Sequence, residues 1–99
     1  MANRLRFHPA VSSDLTDAIG YYDGISPLLG ARFRKMVDAR FDRIESHPEL
    51  FSLAFGDVRF ATVRRFPYVI LFRQRRETIM VLGVFHGASN PERWRERAR

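Results

Sequence analysis

The sequence has 99 residues, no cysteine and a formal charge of +6. Such a length suffices for one domain with an ordinary core, and the missing cysteines exclude disulfides and thiolate-held metals. The longest apolar run, Ile79 to Phe85, is too short to span a bilayer, and the opening MANRLRF has no apolar export segment, so a cytoplasmic protein without membrane contact is expected.

The chain reads as strand, helix, helix, then strands. Arg4 to Phe7 alternates weakly and is stopped by His8–Pro9. Ser12 and Ser13 are candidate N-caps for a first helix, with Asp14 and Asp17 in its first turn and Gly24 at its close. A second helix opens at Ser26–Pro27, where the missing proline N–H is harmless. Its apolar stripe is Phe33, Met36, Val37, Phe41 and Ile44. It should end near Ser46, since the residue before Pro48 is pushed out of helical geometry. The short joint makes the two helices an antiparallel hairpin.

The stretch PELFSLAFGD reads as a connector whose apolar residues plug one end of the core. Val58 to Phe66 and Tyr68 to Phe72 read as strands, with RQRRE as a turn region. Ile79 to Phe85 is apolar on both faces, which predicts a central strand covered on both sides. Asn90–Pro91 repeats the Ser26–Pro27 grammar and opens a short terminal helix that must dock through Trp94. The expected architecture is an α+β sandwich within a single domain, residues 1–99: an N-terminal strand, a helical hairpin, a three-stranded antiparallel meander and a short C-terminal helix.

Charge is segregated. Residues 1–58 hold 7 basic and 8 acidic side chains, whereas residues 59–99 hold 10 basic and 3 acidic. Lys35 is the only lysine, and arginine's planar fork suits phosphates and carboxylates. The second half is therefore a candidate anion-binding surface, or else a solvated sheet face. His8, His47 and His86 show no metal-ligand spacing, and there is no phosphate-binding loop, dinucleotide fingerprint or nucleophile motif. Neither a metal nor a cofactor is expected.

The element order and three stretches together resemble the ParE/RelE superfamily of type II toxins over nearly the whole chain. The stretches are ARFRKMVDARFDRIESHPELF, VRRFPYVILFR and VLGVFHGASNPERW. The match is closer to the ParE branch, whose members often carry the label of plasmid-stabilisation proteins. The resemblance implies a small basic cytoplasmic toxin neutralised by a cognate antitoxin, which wraps an extended, partly helical segment around it. ParE-like members poison DNA gyrase. RelE-like members cut mRNA on the ribosome. A degenerate member that only binds its antitoxin is a third reading. The assemblies allowed include a homo-oligomer and a toxin–antitoxin heterotetramer.

Candidate site residues follow. His86 ends the last strand in register with Met80, Leu82 and Val84, and either exchanges a proton or ties the Gly87–Asn90 turn. Arg64 and Arg65, if on a strand, point to opposite faces. By the resemblance, one of them contacts a phosphate in nucleases or receives an antitoxin carboxylate. The catalytic candidates, for a nuclease only, are His86 and Arg65. The candidates for antitoxin or target binding are Arg59, Arg64, Arg65, Arg73, Arg93, Trp94 and Arg95. Trp94 is either a docking side chain or a base-stacking platform. Where relatives often show His-x-x-Arg, this chain has Ser89. No second general acid or base is evident beside His86, which disfavours catalysis.

Overall fold

The structure, a computed structural model, describes residues 3–99. The elements are β1 (Arg4–Phe7), α1 (Val11–Ile25), α2 (Pro27–Ser46), a 3₁₀ turn (Pro48–Leu50), β2 (Leu53–Phe55), β3 (Val58–Thr62), β4 (Tyr68–Arg75), β5 (Thr78–His86) and α3 (Pro91–Arg97). They build one sheet in the order β1-β5-β4-β3-β2. β1 runs parallel to β5, and the other neighbours are antiparallel.

Each sheet face has its own cover. The α1–α2 hairpin lays Tyr22, Phe33, Val37, Phe41 and Ile44 against Ile70, Phe72, Ile79 and Val81. The opposite face is smaller: Val58, Leu71, Leu82 and Phe85 lie under Trp94 and Ala98, next to Phe55, Phe60 and Met80. β5 thus carries apolar residues on both sides, as its unbroken run implied.

Local chemistry explains most boundaries. Pro27 opens α2 and Pro48 follows its end. The Asn90 side chain accepts from Glu92 N–H at 3.0 Å and caps α3. α1 starts earlier than expected, at Val11 with Ala10 as N-cap. Ser12 and Ser13 lie inside its first turn, and Ser13 Oγ instead donates back to Ala10 C=O at 3.0 Å. Gly24 lies inside the helix rather than closing it. The connector holds a strand that its composition did not suggest, β2, irregularly paired with β3. Its plugging role falls to Phe51, which meets Phe72 at 5.7 Å, while Leu50 and Leu53 stay exposed.

β3 stops at Thr62, four residues short of the sequence expectation, and Arg64 and Arg65 sit in a turn, not on a strand. β5 carries a bulge. Phe72 pairs with Val81 but Leu71 pairs with Gly83, leaving Leu82 as the extra residue. The bulge changes the alternation. Met80 and Leu82 face α3, whereas Val84 joins the hairpin core. His86 follows Val84 onto the hairpin side, edge-on to Tyr68 at 5.3 Å. The register expected from parity alone, with His86 in one row with Met80 and Leu82, does not hold.

An ion pair holds that bulge. Asp14 Oδ2 accepts from Val84 N–H at 3.0 Å and from Arg97 Nη1 at 2.6 Å, and Asp14 Oδ1 accepts from Arg97 Nη2 at 3.1 Å. Arg97 Nη1 also donates to Leu82 C=O at 3.1 Å, with its guanidinium 4.8 Å from the Phe85 ring centre. The two side chains are only 10% and 16% exposed. A Cβ at Gly83 would run into the Phe85 ring and the Arg97 guanidinium, so only glycine leaves this passage open. Replacing Asp14 and Arg97 by leucine singly and together should give a coupling energy of about 1–3 kcal/mol in chemical denaturation. Additive losses would show that the pair does not act as a unit. Phe41→Ala should lower stability by about 3–5 kcal/mol in the same measurement.

Candidate functional site

Two concave regions flank the Phe66–Pro67 turn. The larger is a cleft of about 640 Å³ between α2 and that turn, lined by Leu29, Arg32, Lys35, Met36, Arg64, Arg65 and Phe66. Its floor is apolar and its rim carries four cations. Among the described residues no carboxylate forms an ion pair with any of them. The turn is rigid: Phe66 N–H donates to Val63 C=O at 3.0 Å and Tyr68 N–H to Phe66 C=O at 2.8 Å. The Phe66 ring is held by Tyr22 at 4.9 Å and Phe33 at 5.1 Å. This geometry forces Arg65 into the left-handed region, φ 72°. A glycine would be relaxed there, so the arginine carries a local backbone cost.

The second region, of about 400 Å³, is lined by Tyr21, Tyr22, Ile25, Pro67, Tyr68 and His86. Burial raises the Tyr22 and Tyr68 phenols above their ordinary range, so both remain neutral donors near neutral pH. His86 Nδ1 accepts from Ala88 N–H at 3.0 Å. A neutral ring accepting at Nδ1 carries its proton on Nε2, so its free nitrogen donates. Ser89 is also committed, donating to His86 C=O at 2.6 Å and accepting from Trp94 Nε1 at 2.9 Å. This arrangement ties the Gly87–Asn90 turn to the end of β5.

The structure divides the sequence candidates. Arg64 and Arg65 line the large cleft. His86 and Arg93 share a separate small hollow with Asp14, Asp17, Tyr68 and Ser89. Arg59 donates to Phe51 C=O, beneath the hairpin. Arg73 lies on the opposite sheet face, bonded to Asp57 at 2.9 Å and to Ala98 C=O at 3.0 Å. Trp94 stacks on Phe85 at 6.3 Å, its docking role. Arg95 sits over Phe55 at 5.8 Å and pairs with Glu92 at 3.7 Å. As site residues the sequence reading missed Leu29, Arg32 and Lys35, and it placed Met36 only in the core stripe. Their spacing, a second helical stripe beside the core stripe, is the signal that could have found them.

The sequence profile described as "ParE toxin of type II toxin-antitoxin system, parDE" matches residues 5–91. The chain belongs to the ParE toxin family. Two curated relatives, both named Toxin ParE2, come from Mycobacterium tuberculosis strains CDC 1551 / Oshkosh and ATCC 25618 / H37Rv. Each is 36% identical over 92 residues, covering 92% of this chain and 88% of the relative. Family membership makes the chain a toxin component of a type II toxin–antitoxin system. A solved structure, titled "Chromosomal ParDE TA system from P. aeruginosa", superposes with a TM-score of 0.75 at 17% identity, over 85% of this chain and 95% of the other, and shows a shared fold. Among the described residues no helix is long and apolar enough to cross a membrane.

Arg65→Gly should raise stability by about 0.5–1 kcal/mol. Release of the left-handed conformation outweighs the added freedom of the unfolded chain. A lower melting temperature would remove the strain argument for this residue.

Proposed function

We propose that this ParE-family toxin acts by binding rather than by chemistry of its own, that its cognate antitoxin neutralises it, and that DNA gyrase in the cytoplasm is the target. The observation that supports binding is the paired character of the large cleft: an apolar floor under four cations free of ion pairs among the described residues. An acidic amphipathic segment fits it, with apolar anchors against Leu29, Met36 and Phe66 and carboxylates against Arg32, Lys35, Arg64 and Arg65. Arginine forks receive carboxylates bidentately, so Arg64 and Arg65 supply orientation as well as charge. The opposed reading, a ribonuclease built on His86, needs a base for the ribose hydroxyl and an acid for the leaving oxygen. His86 has its Nδ1 engaged by Ala88, and it lines a different hollow from Arg64 and Arg65, so histidine and phosphate-binding arginines do not share one site.

Induced expression with pulse labelling should show DNA synthesis falling before translation, with co-expressed antitoxin restoring growth. Translation stopping first would refute the gyrase reading. His86→Gln should keep most toxicity, because a hydrogen-bonding side chain remains. A nuclease using His86 would lose about 10²–10⁴-fold in rate. Arg64→Gln with Arg65→Gln should weaken antitoxin binding by about tenfold or more, as expected when charged contacts at the centre of an interface are lost. Unchanged affinity by calorimetry would move the antitoxin elsewhere.

A further inference from the structure

The sheet face opposite the hairpin is only partly covered by α3, and its uncovered end is arginine-rich. Register places Arg4, Thr78 and Arg75 in one row across β1, β5 and β4, and Arg6, Met80 and Arg73 in the next. Met80 packs with the α3-side cluster, and Arg73 reaches Ala98 C=O, so both rows face the α3 side. Residues two apart on a strand stand about 6.6 Å apart and neighbouring strands about 4.8 Å. The result is a sheet face whose β1 and β4 columns are arginines, with Thr78 and Met80 of β5 between them.

This face is also rigid. Arg4 N–H donates to Glu77 C=O at 2.6 Å, tying β1 to the β4–β5 turn, and Gln74 Nε2 donates to Arg76 C=O at 3.1 Å within that turn. In that turn Arg76 is held at φ 57°, a conformation that glycine or asparagine adopts more readily. Charged residues on β1 alone would be explained as protection of an edge strand. That reason does not extend to Arg75 and Arg76, on an interior strand and its turn.

We infer that Arg4, Arg6 and Arg75, with Arg76 in the adjoining turn, form a second binding surface whose ligand is the sugar–phosphate backbone of nucleic acid. Arginine forks match phosphate oxygens. Among the described residues this face carries no exposed large apolar side chain, Met80 being half-buried, which suits a polyanion more than a lipid bilayer, since a bilayer takes up apolar side chains as well as charge. The surface reads no bases, so binding is sequence-independent and salt-sensitive. Asp57 restrains it: its carboxylate bonds Arg73 at 2.9 Å and reaches Arg75 at 3.6 Å. The hydrogen bond from Arg73 holds the Asp57 carboxyl below its ordinary value. This inference is independent of the antitoxin cleft, which lies on the hairpin side.

The test is fluorescence anisotropy of the full chain with a labelled DNA duplex of about 20 base pairs and a single-stranded RNA of equal length, over about 50–200 mM salt. Arg4→Gln with Arg6→Gln should weaken binding about tenfold or more at the lowest salt and flatten the salt slope by about two. Arg34→Gln with Arg43→Gln, an equal charge change on α2, should have less than about a third of that effect on a logarithmic scale. Asp57→Asn should tighten binding and Asp38→Asn should not, although both add one positive charge. If the β1 variant melts early, Arg75→Gln with Arg76→Gly carries the test, since glycine relaxes the turn. Tighter binding to duplex or to single strand says which form the surface prefers, and either supports the inference. Equal losses from the β1 and α2 pairs, equal gains from Asp57→Asn and Asp38→Asn, or variants that alter binding to phosphatidylglycerol vesicles but not to nucleic acid would overturn it.

Discussion

The contact between Asp14 and Arg97 organises the molecule. It joins residues 83 positions apart in sequence. β1 ends at Phe7, beside Val81, so the last residues of β5 have no strand on that side. There Asp14 receives the Val84 N–H and Arg97 satisfies the Leu82 C=O. An exposed strand edge is thereby closed by two side chains instead of a sixth strand. A largely buried ion pair seldom stabilises more than apolar residues of the same size would, because both charges lose water. What this one supplies is register. It holds the bulge, the bulge decides the face from which His86 emerges, and α3 cannot lie elsewhere while Arg97 threads past Gly83.

That single irregularity separates the two ends of the site region. With strict alternation His86 would lie on the side of Leu82, beneath α3. Instead it lies beside Tyr68, at the mouth of an aromatic hollow that Pro67 divides from the cationic cleft. The hairpin side combines apolar floor and charge, a surface suited to an amphipathic polypeptide. The other side offers charge with little exposed apolar area. Cations thus collect on both sides of the sheet, on surfaces of different character.

Much of the fold was legible because it rests on local chemistry. Pro27, Pro48 and Asn90–Pro91 mark helix ends whatever the tertiary context, and the stripe from Phe33 to Ile44 can bury itself in only one way. Features that depend on distant partners were not legible. β2 is three residues of an edge strand and forms only because β3 lies beside it. The end of β3 at Thr62 is set by the Phe66 ring seeking Tyr22 and Phe33, which no propensity scale contains. The bulge follows from Asp14 and Arg97 meeting at Gly83. For the site, arginines before Phe-Pro were visible as a motif, but Arg32 and Lys35 looked like ordinary solvent-facing helix residues until the turn was placed opposite them.

The parallel pairing of β1 with β5 bears on when the protein comes into being. Arg4 has its partner at Thr78, and among the described residues β1 pairs with no other strand. The α1–α2 hairpin can form as soon as it is made, since its contacts are close in sequence. The first strand, by contrast, must wait unpaired until the last has been synthesised, and such long-range closure is slow. During that wait the hairpin's core residues, Tyr22 and Phe33 among them, have no sheet to lie on. The growing chain is therefore a helical hairpin with an open apolar side, and the complete sheet, with the cleft beside it, exists only after translation has run through β5.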